Sequence, residues 1–146
     1  MNYMDIALNE AYIALEQGEI PVGAVIVKGD KIIATSHNMK EQMKLATAHA
    51  EILAIEKASK YLGDWRLNDT EMYVTLEPCA MCASAIASAR ISKLHIGTFN
   101  RDMGACGTVF NILDYELFNS TIEVNWCYNE KCNNLIRTFF STKRKK

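Results

Sequence analysis

Charge of one sign is not in excess in this sequence. Its 146 residues include 16 lysines and arginines against 17 acidic residues, which gives a formal net charge of -1. Such a chain has no global attraction for nucleic acid, so any RNA-binding surface must be local. One local basic cluster stands at positions 143–146, Lys-Arg-Lys-Lys. Its charge pattern leaves two interpretations open, a solvated tail that aids solubility or a contact with phosphates.

The sequence also lacks a long apolar run, a signal peptide, an internal repeat and a low-complexity segment. These absences argue against a membrane-spanning or secreted protein. The five cysteines are odd in number, which does not favour a framework of disulfide pairs. We therefore expect a reduced, cytoplasmic protein.

What is present is the pattern of one α/β domain. A chain of this length with 49% hydrophobic residues is large enough to bury a core as a single domain, residues 1–146. Hydrophobic periodicity predicts helices over 3–17, 48–62, 79–89 and 129–142, a short helical piece at 109–113, and strands over 22–27, 32–35, 72–76, 93–97 and 121–125. The first two strands form a hairpin. The alternation of strands and helices predicts a three-layer α/β/α arrangement, a mixed five-stranded sheet with helices on both faces.

Several residues predict where these elements begin and end. Gly18 and Gly63 stand where helix C-terminal caps belong, and Thr47 is the expected N-cap of the second helix. Residues 38–46 show neither the helical nor the strand periodicity of apolar residues and are interpreted as a loop. Gly23 lies inside the first strand, which it weakens, so we expect backbone or ligand to approach closely there.

Two short motifs contain the candidate metal ligands and the candidate general base: Thr47-Ala48-His49-Ala50-Glu51 and Glu77-Pro78-Cys79-Ala80-Met81-Cys82. Cys79 and Cys82, three residues apart on a helix, share a face, and the helix N-terminus favours their thiolate forms. With His49 they make three zinc ligands, the number typical of catalytic sites that leave a fourth position to water. A thioredoxin-like Cys-x-x-Cys is the competing interpretation, but it leaves the histidine and glutamate unexplained.

Glu51 is predicted to be the general acid and base. Residues two apart on a helix point in different directions, so His49 and Glu51 are not expected to bind one metal together. The free carboxylate is then available to move protons for a water whose pKa zinc lowers to about 7.

The remaining histidines and cysteines are assigned structural roles. His37 and His95 fall at the end of a strand and within one, with no further ligands in the surrounding sequence. Cys106 and Cys132 are interpreted as small buried apolar residues. A second metal pair of Cys127 with Cys132 is rejected, because no histidine or further cysteine lies near them.

The pattern His-x-Glu followed by Pro-Cys-x-x-Cys is an established signature of zinc-dependent nucleobase deaminases. Through these motifs the sequence resembles the cytidine and deoxycytidylate deaminase superfamily, and within it the bacterial tRNA-specific adenosine deaminases. The resemblance covers nearly the whole chain and is carried by residues 19–25, 47–51, 65–67, 73–82, 89–91, 104–107 and 132–144. It implies a cytidine-deaminase-like fold.

The resemblance also implies site residues. His49, Cys79 and Cys82 would bind one zinc ion per chain and Glu51 would shuttle protons. Among the substrate contacts, Asn38 would hydrogen-bond the target base, Val22 and Ala50 would wall its pocket, and Asn100 would lie on the RNA path.

Activity and partners are implied in the same way. The resemblance implies hydrolytic deamination of adenosine to inosine at the wobble position of a tRNA anticodon stem-loop, by a homodimer. Two departures stand out: Ala46 replaces a frequent proline before the histidine motif, and Asn100 replaces a common aspartate. Phe139 and Phe140 offer aromatic faces for stacking on bases, although packing would serve at least one of them.

Two other functions remain open from the sequence. One is a deaminase of a free nucleobase or nucleoside, such as guanine or cytidine. The other is an RNA-binding protein whose zinc is purely structural, which would release no ammonia.

Overall fold

The computed structural model describes residues 2–114 and 121–144, the last two of them by their backbone alone. The side chains of the basic cluster 143–146 therefore lie outside the described residues. In the described part, the elements are α1 (Tyr3–Glu16), β1 (Gly23–Lys28), β2 (Lys31–His37), α2 (Lys40–Met43), α3 (Ala50–Leu62), β3 (Thr70–Leu76), α4 (Ala80–Ser88), β4 (Lys93–Thr98), a 3-10 turn (Ile112–Asp114), β5 (Glu123–Trp126) and α5 (Glu130–Arg144).

The five strands form one mixed sheet in the order β2-β1-β3-β4-β5. β1 runs antiparallel to both β2 and β3, while β3, β4 and β5 run parallel to one another. Parallel neighbours need a crossover connection, and α4 supplies one between β3 and β4. The predicted mixed five-stranded sheet is confirmed.

Helices cover both faces of the sheet. Successive side chains of a strand point to opposite faces, so each inner strand contributes to two cores. In β1, Ala24 and Ile26 pack into the larger core beneath α3 and α4. Val25 and Val27 point the other way, into a smaller core that α1 fills and Cys132 of α5 completes. The predicted three-layer arrangement is therefore confirmed.

Gly23 marks a close approach of backbone, as the sequence predicted. A Cβ atom at this position would overlap the carbonyl oxygen of Ala7 in α1 and would lie 2.7 Å from the amide nitrogen of Ala11. The absence of a side chain lets the first helix settle directly on the start of β1, next to the strand end that leads to the candidate site.

Some element boundaries differ from the sequence prediction. The N-cap of α3 is His49, not Thr47: its backbone is extended and its carbonyl oxygen accepts the first helical bond, from Leu53 N at 3.0 Å. The predicted loop 38–46 contains the one-turn helix α2, which the sequence does not reveal because all four of its residues are exposed and show no apolar period. Other boundaries shift by one to three residues.

In the described part of the chain, no helix has both the length and the apolar character needed to cross a membrane.

Candidate metal centre and active site

Two helix starts bring the candidate metal ligands together. His49 is the N-cap residue of α3, Cys79 is the N-cap residue of α4, and Cys82 lies in the first turn of α4. Nδ1 of His49 lies 3.7 Å from Sγ of Cys79 and 3.5 Å from Sγ of Cys82. All three donor atoms lie within 4.8 Å of one another.

These distances suit a single tetrahedral ion. With metal bonds of about 2.3 Å to sulfur and about 2.0–2.1 Å to nitrogen, a tetrahedral site separates its sulfur and nitrogen donors by roughly 3.5 Å. The separations of 3.5 and 3.7 Å agree with that geometry. Two sulfurs and one imidazole nitrogen are donors that zinc accepts, and three protein donors leave one position open.

The electrostatics of the cluster favour one thiolate. The contact with Cys82, followed by the contact with His49, lowers the pKa of Cys79 to about 4. The same contact, together with burial, raises the pKa of Cys82 above its ordinary value. Hydrogen bonding to Cys79 raises the pKa of His49. Since metal ligands must be deprotonated, binding an ion here releases protons.

Glu51 is the second residue of α3 and lies beside the cluster. Its side chain is only 4% exposed. Burial is the main reason that the pKa of its carboxyl is raised to about 7, and the charges of Cys79 and His49 act on it in opposite directions. A carboxyl with a pKa near neutrality can both accept and return a proton at ordinary pH.

A cavity of about 380 Å³ opens onto this cluster. Seven of the eight site residues predicted from the sequence line its wall: Val22, Asn38, His49, Ala50, Glu51, Cys79 and Asn100. The eighth, Cys82, is fully buried behind it.

The amide of Asn38 borders the cavity and is already partly engaged. Nδ2 donates to the carbonyl oxygen of Ile20 at 3.3 Å, and Oδ1 accepts from Lys40 N at 3.2 Å. A carboxamide has two N–H donors and can accept two hydrogen bonds, so one donor and one acceptor position remain for a ligand.

Asn100 organises the opposite wall. Its Oδ1 accepts from the backbone N–H of Asp102 at 3.3 Å and of Met103 at 3.2 Å, which closes a turn. An aspartate oxygen can accept the same two bonds. The departure from the common aspartate therefore keeps the turn and removes a negative charge from the cavity wall.

Two buried glutamates at the site were missed from the sequence. Glu19 and Glu77 are each 1% exposed and each accepts backbone N–H bonds from a loop beside the cavity. Each stands shortly before a proline, Pro21 or Pro78, but the local sequence gives no sign of burial, because the N–H groups that compensate it lie 22 or more positions away.

The other histidines and cysteines are placed outside this cluster. His95 Nε2 lies 2.7 Å from Oε1 of Glu71 and its ring stacks on Tyr73, while His37 Nε2 lies 3.0 Å from the side-chain oxygen of Gln17. Cys106 and Cys132 are buried, as predicted.

Comparison with known proteins agrees with this geometry. The family model of MafB19-like deaminases matches residues 1–144. A curated relative from Bacillus subtilis (strain 168), named tRNA-specific adenosine deaminase, is 45% identical over 145 residues, which is 99% of this chain and 90% of that protein.

Solved structures extend the comparison. One, from a study of A-to-I editing by tRNA:A34 deaminases, is 40% identical with a TM-score of 0.81, over 84% of this chain and 95% of that one. A guanine deaminase from Bacillus subtilis is 31% identical with a TM-score of 0.67, over 97% and 95% of the two chains. With a family model matched almost from end to end and relatives at 40% and 45% identity, the chain belongs to the MafB19-like deaminases and, among them, to the family of tRNA-specific adenosine deaminases.

Proposed function

We propose that this protein deaminates adenosine to inosine at the wobble position of a tRNA anticodon. The observation that carries the proposal is a three-donor metal cluster that borders one cavity together with a buried carboxylate, in a chain of this family. A three-donor site leaves a coordination position free, which a purely structural zinc site does not need. This argues against an RNA-binding protein with structural zinc.

We assign one zinc ion per chain to His49, Cys79 and Cys82. When bound, zinc supplies the Lewis acidity that makes a water molecule nucleophilic near neutral pH. Glu51 would take the two protons of the attacking water in turn and pass one to the ring nitrogen and the other to the amino nitrogen of adenine, so that ammonia leaves and an oxo group remains at C6. Its raised pKa suits both transfers.

Val22, Ala50 and Asn38 would receive the base. The first two are buried and apolar, and the free amide positions of Asn38 would hydrogen-bond its edge. A cavity of about 380 Å³ falls in the range of small-molecule sites. C6 is out of reach inside a helical stem, so the substrate must be an unpaired base, and an anticodon loop supplies one at low unstacking cost.

The surroundings of the cavity favour a polynucleotide over a free base. Two further cavities, of about 510 and 570 Å³, share lining residues with the central one, and Phe140 borders all three. Arg101 and Arg137 line the first together with Asp102, whereas Glu19 and Glu41 accompany Lys40 in the second, so the excess of positive charge lies in the first. Positive charge next to an aromatic face is the combination that holds single-stranded nucleic acid. Phe139 meets Phe140 edge to face with ring centroids 5.3 Å apart.

We further propose that residues 1–146 form one domain and that the protein works as a cytoplasmic homodimer. Exposed large apolar side chains near the site, such as Met103, Val109 and Phe110, support a protein interface. Light scattering coupled to size-exclusion chromatography should give twice the chain mass. A single-chain mass at micromolar concentration would remove the dimer and leave the chemistry untouched.

The second candidate is deamination of a free base, which the 31% identity to a guanine deaminase favours. The test incubates zinc-loaded protein with an anticodon stem-loop bearing a wobble adenosine, with the same stem-loop carrying its adenosine in the stem, and with free guanine, cytidine and adenosine. We expect inosine from the first substrate alone, detected by nuclease digestion and mass spectrometry. Product from guanine or cytidine and none from the stem-loop would replace the proposal with the alternative.

A further inference from the structure

Two buried carboxylates near the cavity have no part in the proposed chemistry. Glu19 lies in the segment between α1 and β1, and Glu77 follows directly after β3. Both side chains are 1% exposed. A buried carboxylate is costly unless hydrogen bonds compensate its lost hydration, so the partners of these two groups indicate what they do.

Glu19 holds the start of α2. Its Oε1 accepts from the backbone N–H of Glu41 at 3.0 Å and its Oε2 from that of Gln42 at 2.8 Å. The N-cap residue of α2, Met39, makes no side-chain cap bond. Together with the bond from Lys40 N to Asn38 Oδ1, the first three N–H groups of this one-turn helix are bound by side chains.

Glu77 holds the loop on the other side. Its Oε1 accepts from Asn100 N at 3.0 Å and from the hydroxyl of Thr108, and its Oε2 accepts from Cys106 N at 2.9 Å and Thr108 N at 3.1 Å. Gly104 passes directly over this carboxylate, where a Cβ would overlap Oε1. The loop is therefore closed around the charge.

The segment that Glu19 holds, residues 38–42, and the segment that Glu77 holds, residues 100–108, form the two polar walls of the catalytic cavity. We call them the two loops. Asn38 and Lys40 line the cavity from the α2 side, and Asn100, Asp102 and Met103 line it from the other. The metal cluster and Glu51 belong to α3 and α4 instead. The side chains that hold these walls are thus different from the metal donors, although Glu77 also lines the cavity and precedes Cys79 by two residues.

We propose that Glu19 and Glu77 are positioning residues that preorganise these two walls for the flanking part of the RNA. The inference rests on the proposed function. Ordering the loops before binding removes an entropic cost that substrate would otherwise meet, so the benefit lies in substrate affinity. The metal and Glu51 would keep their geometry when either carboxylate is changed.

Glutamine is the isosteric test, because both oxygens of each carboxylate accept N–H bonds. In Glu19→Gln and Glu77→Gln, one oxygen becomes an NH2 group that faces N–H donors, so at least one bond is lost. With the stem-loop substrate, we expect KM to rise roughly ten- to hundredfold, the range for a lost hydrogen bond to a charged group. The value of kcat should stay within about twofold, and zinc content should stay unchanged.

Two further variants separate positioning from general stability. Glu56→Gln, at an exposed position of α3, is the matched control and should keep the wild-type KM. Thr108→Val removes only the hydroxyl donor to Glu77, and it should raise KM in the same direction by a smaller factor even if Glu77→Gln fails to fold.

A readout independent of catalysis is amide hydrogen exchange. Exchange should quicken at Glu41 and Gln42 in Glu19→Gln, and at Asn100, Cys106 and Thr108 in Glu77→Gln, with the metal-bearing helices unchanged. An unchanged KM, a fall in kcat alone, loss of zinc, or unchanged exchange in these loops would overturn the inference. If the wild-type protein makes no inosine, the proposed function fails, while the exchange result still decides whether the carboxylates hold the loops.

Discussion

Sγ of Cys82 lies 3.5 Å from Nδ1 of His49, although 33 positions separate the two residues in the chain. The contact exists because α3 and α4 lie on the same face of the sheet and begin beside each other. The donor set is therefore a product of folding, and metal binding should in turn stabilise the fold.

The first prediction concerns that donor set. Cys82→Ala removes one of three donors, so we expect zinc, measured by mass spectrometry of the metal, to fall from about one per chain to nearly none. The melting temperature of wild-type protein should also drop when a chelator removes the metal. Cys132→Ala is the control, since this buried thiol lies in the other core and its loss should lower stability while zinc stays bound.

The second prediction tests the approach of α1 to β1. Gly23→Ala places a Cβ against the carbonyl oxygen of Ala7, so the free energy of unfolding should fall by about 1–3 kcal/mol, as overpacking does. Urea denaturation measures it. Glu56→Gln, at an exposed position of α3, should change stability by less than about 0.5 kcal/mol. Equal effects at both positions would mean that the helix contact is unimportant.

The third prediction concerns Asn38. In Asn38→Ala, the bonds to Ile20 and Lys40 and the positions left for the base all disappear. We expect kcat/KM for the stem-loop to fall roughly ten- to hundredfold with zinc content unchanged. Asn38→Asp retains the acceptor for Lys40 N and loses the donor, so activity near the alanine level would assign the effect to the donor. Wild-type rates in both variants would exclude a role in base recognition.

The fourth prediction decides between the two interpretations of the basic tail. If residues 143–146 contact phosphates, deleting them should weaken binding of the stem-loop and reduce the slope of log affinity against log salt by about 0.7 for each lost contact with single-stranded RNA. Fluorescence anisotropy across a salt series measures both. Lys60→Gln, an exposed change on α3, should leave the slope as it is. An identical slope after deletion would make the tail a solvated segment.

The sequence predicted the parts of this protein that depend on local pattern. Strong periodicity located the helices and strands, and motif spacing identified the candidate metal donors, which the fold brings together. It failed where a partner lies far away in the chain: α2 is capped by Glu19, 22 and 23 positions from the amides it binds. Residue type favours Thr47 as the N-cap, but the chain stays extended through His49, whose ring then reaches the cysteines.

In the proposed reaction, one zinc ion and Glu51 act together. The most direct measurement titrates metal-free protein with zinc and follows inosine formed at the wobble adenosine of a stem-loop. Wild-type activity should rise in proportion to zinc and level off at about one ion per chain. Glu51→Gln should bind the same amount of zinc and form inosine about 10²–10⁴ times more slowly. Full activity in metal-free protein, or in zinc-loaded Glu51→Gln, would contradict the account.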